Sequence, residues 1–287
     1  MNFRMNIAGV VILYHPDINQ LSENINTYVS GLKQLYIYDN SETQTPGIEA
    51  ALNQLHPSIK YHFFSANQGI GQRLNQAVEA AVQSQYDYLL TMDQDSSFKP
   101  GDFELYKSFI QKEDYTNVAQ FGVNCQPHIT MMNEQPQEAL TLITSGSILN
   151  LSLVKRVGDF NEGLFIDFVD AEFSYRVVQN GFINLIFSTI LLNHSLGKLV
   201  PGRSLATFKK SLRIIHSPIR AYYITRTGLY LLFKQKGLSS VMKKDIIRCM
   251  RILKNDLIYH PQLLQVYINV IKGIFAFCFN KMGKKLN

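Results

Sequence analysis

Residues 88–96 read Tyr88-Leu89-Leu90-Thr91-Met92-Asp93-Gln94-Asp95-Ser96, a short apolar run that ends in two carboxylates one residue apart. Such a run, bounded by polar residues, predicts a buried strand. Side chains alternate along a strand, so Asp93 and Asp95 leave the chain on the same side. Two like charges that close repel unless a cation lies between them, and hard divalent ions prefer carboxylate oxygens. Mg2+ and Mn2+ keep coordination positions open for substrate phosphates, so the pair points to a metal–diphosphate site. An Asp-x-Asp taken alone is more simply a turn; its place at the end of a strand gives it weight.

Working outward, the apolar runs 7–14, 35–38, 61–64 and 118–122 also read as buried strands, and 18–29, 48–55, 73–83 and 103–111 carry helical spacing between them. Strand and helix alternating at this pitch predict an α/β fold with a mostly parallel sheet covered on both faces. Ligands of such sheets sit beyond the carboxyl ends of the strands. Four strand ends are polar: Tyr14-His15-Pro16, Asp39-Asn40-Ser41, Asn67-Gln68-Gly69-Ile70-Gly71 and Asp93-Gln94-Asp95-Ser96. Each by itself is explained as a turn or a helix cap, but their coincidence on one rim reads as a site. The segment 67–73, two glycines and then Arg73, reads as a wall of a nucleotide pocket that can hold phosphate on backbone amides; a plain strand–helix turn is the competing reading.

A second acidic cluster, Asp167-Phe168-Val169-Asp170-Ala171-Glu172, sets three carboxylates among apolar side chains. Low dielectric raises a carboxylate pKa, and a base poised in this way can take a proton from a hydroxyl. If Asp170 opens a helix it sits at the favourable end of the helix dipole, and Glu172 and Arg176, four apart, can pair along that helix. A capped amphipathic helix with a solvated acidic start explains the segment read alone. Together with Asp93 and Asp95 it reads as the other half of a site.

The chain of 287 residues is 46% hydrophobic with 17 Gly and 9 Pro, which supports a sizeable core and excludes collagen-like or low-complexity disorder. Three widely spaced cysteines, Cys125, Cys249 and Cys278, exclude a disulfide framework or a four-Cys zinc site and suggest a reducing compartment. The run 7–13 lacks a small-residue cleavage signature, so secretory export is not expected. Nor is a simple spanning helix, since no stretch reaches ~18 uncharged apolar residues. The net charge of +6 hides a division: residues 198–287 hold 18 of the 28 Lys and Arg and only Asp245 and Asp256 as acids, while residues 1–197 are net −10.

That division, and the apolar content of the tail, predict two parts: a body over 1–235 and a basic helical tail over 236–287. Residues 263–279 are almost continuously apolar with one Lys272, and in 241–254 Val241, Ile246, Ile247, Met250 and Leu253 alternate with Lys243, Lys244, Arg248, Arg251 and Lys254. Basic amphipathic helices bury an apolar face at a bilayer while Lys and Arg meet anionic headgroups, so an anionic membrane surface is the expected partner. A helix packed on the body with its basic face solvated is the alternative. Nucleic acid is not expected, because such apolar runs would be poorly used on phosphate backbones.

The order of these motifs resembles the family 2 inverting glycosyltransferases with a GT-A fold. The resemblance rests on Asp39-Asn40-Ser41, Asn67-Gln68-Gly69-Ile70-Gly71-Gln72-Arg73-Leu74-Asn75, Met92-Asp93-Gln94-Asp95-Ser96, Thr144-Ser145-Gly146-Ser147 and Phe165-Ile166-Asp167-Phe168-Val169-Asp170-Ala171-Glu172, and covers about residues 7–235. Within the family the chain is most similar to bacterial rhamnosyltransferases of cell-surface polysaccharide assembly. These tend to show Tyr-His-Pro after the first strand, Asp-Gln-Asp at the metal, Val-Asp-x-Glu at the base and His-Ser-Pro-x-Arg-x-Tyr-Tyr further on, matched here by His216-Ser217-Pro218-Ile219-Arg220-Ala221-Tyr222-Tyr223.

The resemblance implies a Rossmann-like GT-A domain with a helical, basic C-terminal extension. It implies nucleotide-sugar contacts at Tyr14, Asp39, Asn67, Gly69, Arg73, Asp93 and Gln94; Mg2+ or Mn2+ at Asp93, Asp95 and His194; Asp170 as catalytic base; and site shaping by Ser145, Gly146, Glu172 and Arg176. The implied reaction moves L-rhamnose from dTDP-L-rhamnose to a polyprenyl-diphosphate-linked glycan, for O-antigen or capsule-type polysaccharide, at the cytoplasmic face of the bacterial inner membrane. Transfer of galactofuranose or glucose on the same fold, and a catalytically silent membrane-surface binding protein, are the alternatives. Three departures from the family pattern bear on sugar or acceptor detail: Val169-Asp170 where many members have Glu-Asp, Phe173 where Trp is frequent, and Arg226-Thr227 where Arg-Asn is frequent.

Overall fold

A computed structural model describes residues 5–125, 133–194, 197–203 and 210–285. The first half alternates as the sequence predicts: β1 Ile7–Leu13, α1 Ile18–Asn26, β2 Gln34–Asp39, α2 Ile48–Leu55, β3 Ile59–Phe63, α3 Ile70–Gln83, β4 Tyr88–Asp93, the short β5 Ser97–Phe98 and α4 Asp102–Lys112. Asp17 opens α1 by accepting the Gln20 N–H at 2.9 Å, which satisfies one of the free donors at the helix start. There follow β6 Val118–Asn124, β7 Gln137–Glu138, β8 Ser147–Asn150, α5 Leu151–Val157, α6 Val169–Gln179 and β9 Ile183–Asn193.

The strands lie in the order β3-β2-β1-β4-β8-β6-β9-β5, with β7 pairing β9. β3, β2, β1 and β4 are mutually parallel, β6 and β9 are parallel, and β8 runs antiparallel between β4 and β6. This is the mostly parallel, helix-flanked sheet that the alternation of strands and helices predicts. Both faces are buried, which is why β1 reads as an unbroken apolar run. Ile7, Val11 and Leu13 face one core with α1, α2 and α4, while Ala8 and Val10 face the other with α3, α5 and α6. In register, Leu13 lies beside Asp39 and Ile12 beside Asp93, so the parallel strands deliver their polar ends to one rim.

After β9 the chain forms a hairpin of β10 Lys198–Arg203 and β11 Lys210–Ile215, then α7 Pro218–Phe233, α8 Ser240–Met250, α9 Leu253–Tyr259 and α10 Leu263–Cys278. Pro218 sits in the first turn of α7, where its missing N–H costs nothing. Neither the hairpin nor the long β9 is apparent from periodicity.

Part of the tail packs on the body, the alternative its sequence leaves open. In α8, Met242 and Ile246 are buried against α6 and α7 while Val241 and Ile247 are exposed. α10 lies along α7 through Val266, Asn269, Gly273 and Ala276, and a Cβ on Gly273 would come within 2.7 Å of the Tyr222 carbonyl. The opposite side of α10 is apolar too: Leu264, Tyr267, Ile268, Ile271, Ile274 and Phe275 are all exposed. Their spacing places them in one stripe. Among the described residues no helix is long and apolar enough to cross a membrane.

Candidate active site

The site is built from the end of β4 outward. The Asp93 N–H donates to Ser145 Oγ at 3.2 Å, and the Gly146 N–H donates to the Thr91 carbonyl at 2.9 Å, laying the 144–146 loop against the strand end. Gly146 has φ +77°, and an added Cβ would come within 2.6 Å of Val123, so this close approach requires glycine. Gln94 ties the ends of β4 and β1 together: its Oε1 accepts the Tyr14 N–H at 2.8 Å and its Nε2 donates to the Tyr14 carbonyl at 3.2 Å. The Tyr14 ring stays exposed.

His194, just past β9, closes this group. Its Nδ1 lies 2.8 Å from Ser96 Oγ, 3.4 Å from Asp95 Oδ1 and 3.9 Å from Asp93 Oδ2. Asp93, Asp95 and His194 each offer a ligand atom within 4.8 Å of the others. Two carboxylates and an imidazole, all partly open to solvent, fit a divalent ion that keeps positions free for phosphate oxygens. Burial pushes the Asp93 carboxyl up to about 6, with His194 opposing and Asp95 and Asp170 reinforcing the shift. The Asp93 side chain keeps 39% of its surface open to solvent. A hydrogen bond with Asp95, against the effect of burial, holds His194 above its ordinary value.

Asp170 stands in the first turn of α6. Its Oδ1 accepts the Ala171 N–H at 2.8 Å. Burial raises its carboxyl, that N–H opposes the shift, and Asp167 adds to it. The charge of Asp170 adds to the upward shift of Asp93, so the two acidic clusters that are separate in sequence lie near one another in the fold. The loop before α6 is strained: Phe165, Asp167 and Phe168 have φ of +69°, +59° and +64°. Such conformations persist only where surrounding structure enforces them, and they concentrate at functional sites. Here Ile70 donates to the Phe165 carbonyl at 2.8 Å, Phe165 stacks on Tyr223 at 5.0 Å, and Arg220 clamps the Asp167 carboxylate.

The nucleotide side of the rim is a network. Asn40 Oδ1 accepts from Arg73 Nε at 3.0 Å and from the Gln68 N–H at 3.1 Å, while its Nδ2 donates to Asn67 Oδ1 at 3.0 Å. Asn67 Oδ1 also accepts the Gly69 N–H at 3.0 Å. Asp39 is fully buried, with one oxygen accepting the Ser41 N–H and the other the Tyr61 hydroxyl at 2.7 Å.

Three expected site residues, Arg73, Glu172 and Arg176, have protein partners in the fold. Arg73 is 1% exposed. Its remaining donors go to Gln76 and the Ala66 carbonyl, and its guanidinium lies 3.6 Å from the Phe64 ring centre, so it braces the 64–69 loop. Glu172 and Arg176 do pair, at 2.8 Å. Arg176 then reaches the carbonyls of Val157 and Asp159, fastening α6 to the end of α5. Residue type suggests a phosphate or site role for these side chains; the partners that occupy them come from other elements.

Sequence reasoning assigns no role to Ser96, Asp167, Arg220 or Tyr223. The available signal for the last two is the His216–Tyr223 motif, whose first turn of α7 grips the loop that carries Asp170.

The profile of Glycosyl transferase family 2 matches residues 19–164. The dTDP-rhamnosyl transferase RfbF of Shigella flexneri is 24% identical over 259 residues, covering 80% of this chain and 80% of that protein. Among solved structures, the mannosyltransferase PcManGT from Pyrobaculum calidifontis in complex with GDP-Man and Mn2+ is similar with a TM-score of 0.60 at 12% identity, covering 96% of this chain and 76% of that one. S. aureus TarS 1-349 in complex with UDP-GlcNAc gives 0.55 at 16% identity, covering 95% and 82%. At these identities the structural likeness bears on the fold alone.

Proposed function

The chain belongs to glycosyl transferase family 2 and is a glycosyltransferase; on that premise we propose that it transfers L-rhamnose from dTDP-L-rhamnose to a hydroxyl of a lipid-linked glycan, with inversion. The observation that supports the mechanism is that Asp170 lies near enough for its charge to act on Asp93, which groups with Asp95 and His194. Asp170, raised by burial, takes the proton of the acceptor hydroxyl as its oxygen attacks the anomeric carbon from the face opposite the diphosphate. The sugar–phosphate bond breaks as the new glycosidic bond forms, and the electron pair leaves with the diphosphate. A Mg2+ or Mn2+ at Asp93, Asp95 and His194 supplies, when bound, positive charge against the leaving diphosphate. Tyr14, Gln94, Asn67, Gly69, Ser145 and Gly146 line or fix the donor side of this site, with Asp39, Arg73, Glu172 and Arg176 behind them as supports.

The donor identity is supported by the likeness to the Shigella flexneri dTDP-rhamnosyl transferase. A polyprenyl-diphosphate-linked acceptor, a growing O-antigen or capsule-type chain, is supported by the tail. The exposed apolar stripe of α10 and the exposed Lys243, Lys244 and Arg248 of α8 suit an anionic bilayer surface at the cytoplasmic face of the inner membrane.

The test incubates the full chain with dTDP-rhamnose, UDP-galactofuranose and UDP-glucose, with and without Mn2+, and follows donor turnover. Turnover of dTDP-rhamnose is expected, with Asp170→Asn lowering it by about 10²–10⁴-fold, the usual contribution of a general base. Unchanged turnover in Asp170→Asn overturns the assignment of the base. Preference for another donor overturns rhamnose, and binding of donor without turnover favours a silent binding protein.

A further inference from the structure

Arg220 sits in the first turn of α7, against the loop that carries Asp170. Its Nε and one terminal nitrogen grip the Asp167 carboxylate, with Nε 3.1 Å from Oδ1 and 3.4 Å from Oδ2. The other terminal nitrogen has no hydrogen-bond partner among the described residues and is not among the buried unpartnered atoms. The Arg220 side chain is 38% exposed and that of Asp167 only 7%, so the acid is the fixed anchor and the guanidinium reaches outward from it. Arg220 acts electrostatically on Asp93, on His194 and on Asp170. It is therefore a permanent cation within electrostatic reach of both acidic clusters, oriented by a carboxylate on a strained loop. A simple brace does not need a free guanidinium edge at that place.

We propose that Arg220 binds the terminal phosphate of the donor diphosphate and neutralises it as it leaves, with Asp167 as the residue that orients the guanidinium. This inference rests on the nucleotide-sugar reading above. When the bond between the anomeric carbon and the phosphate oxygen breaks, the electron pair stays on that oxygen. Arg220 donates hydrogen bonds to the phosphate without transferring a proton, since a guanidinium remains charged throughout. Planar, forked donors suit phosphate oxygens, which explains an arginine at this position. Asp167 uses one edge of the fork and leaves the other for the ligand.

The experiment is calorimetric titration of the full chain with dTDP and with dTMP, each with Mn2+, in wild type and in Arg220→Gln, Arg220→Lys and Asp167→Asn. In Arg220→Gln, dTDP affinity is expected to fall by about 10- to 100-fold, the range of a charge-assisted hydrogen bond, while dTMP affinity changes less than about twofold. Arg220→Lys keeps the charge and recovers part of the loss. Asp167→Asn retains the preference for diphosphate over monophosphate, because the cation remains. Equal weakening of dTDP and dTMP in Arg220→Gln, no weakening of either, or a loss in Asp167→Asn that matches Arg220→Gln each overturn the proposal and leave the pair as a brace for the loop. If another nucleoside diphosphate binds in place of dTDP, the donor reading fails and the same comparison with that base decides the role of Arg220. If no nucleoside diphosphate binds the folded chain, both fail.

Discussion

Ser96 Oγ lies 2.8 Å from Nδ1 of His194, and Ser96 is fully buried while His194 is partly open. Nδ1 also faces Asp95 and Asp93, so this hydroxyl sets the orientation in which the ring meets the two acids. Ser96→Ala should therefore weaken Mn2+ binding by about tenfold or more, at the low end of what loss of such a partner costs. Titration with Mn2+ followed by donor turnover measures it. Unchanged Mn2+ dependence would remove His194 from the metal set or Ser96 from its support.

The raised Asp93 carboxyl gives pH effects of opposite sign with and without metal. In an unfolded chain the group ionises near 4, whereas in the fold its value is about 6. The folded state then binds the proton more tightly, so this group favours folding below about pH 4 and loses that contribution as pH rises through 6. In metal-free protein, Asp93→Asn should raise the melting temperature at pH 7.5 and leave it nearly unchanged at pH 4. Mn2+ needs the ionised carboxylate, so the stabilisation of wild type by Mn2+ should fade as pH drops through about 6. Thermal melts at three pH values, with and without Mn2+, test both halves.

Gly69 has φ +90°, and an added Cβ would stand 2.6 Å from the Phe165 carbonyl oxygen. Both the backbone angle and the contact exclude a side chain. Gly69→Ala is expected to cost about 2 kcal/mol or more in urea unfolding. Because Phe165 begins the loop that presents Asp170, turnover should fall beyond what the lost stability explains. A variant of wild-type stability and turnover would show that this contact is loose.

The strand ends are legible in the sequence because a parallel sheet buried on both faces leaves unbroken apolar runs, and the polar residues that stop them must lie on one rim. Asp39, Asn67 and Asp93 follow from that rule. The pairing of the second acidic cluster with Asp93 is read from its carboxylates rather than from that rule, and β8 and β9 on either side of the cluster are not legible as strands. β9 is partly irregular, with a register shift against β6 near Asn124, so its residues do not alternate cleanly. The partners of Arg73 are hidden for a different reason. A basic residue opening a helix suits phosphate by type, and only the fold reveals Phe64, Asn40 and Gln76 already around it. Residues 263–279 read as one apolar run, yet the helix has two apolar sides with different neighbours.

Arg226 is fully buried in α7 and donates to the carbonyls of Gly283 at 2.6 Å, Leu164 at 2.8 Å and Gly163 at 3.3 Å. It thereby joins the end of the chain to the turn before the Asp167 loop. Arg226→Met keeps volume but leaves three carbonyls without that donor, which should cost about 3 kcal/mol in urea unfolding. Limited proteolysis should then cut the segment after α10 at lower protease concentration. Wild-type resistance would mean that packing on Tyr222 and Tyr223 holds this segment without the hydrogen bonds.

The stripe of Leu264, Tyr267, Ile268, Ile271, Ile274 and Phe275 is expected to dominate membrane binding over the lysines of α8. A buried Ile, Leu or Phe side chain contributes about 1.5 kcal/mol at the low end, while a Lys or Arg near an anionic surface adds about 1 kcal/mol that salt screens. Flotation of the full chain with anionic vesicles should thus weaken, but persist, in high salt. Ile271→Asp with Phe275→Asp should abolish it without lowering the melting temperature, because those side chains touch solvent rather than α7. Lys243→Glu with Lys244→Glu should lower flotation mainly at low salt. Flotation that ignores the α10 substitutions but is lost with the α8 pair would make charge the attachment. Binding by neither route would leave the stripe facing a protein partner, and the acceptor would have to reach the site from solution.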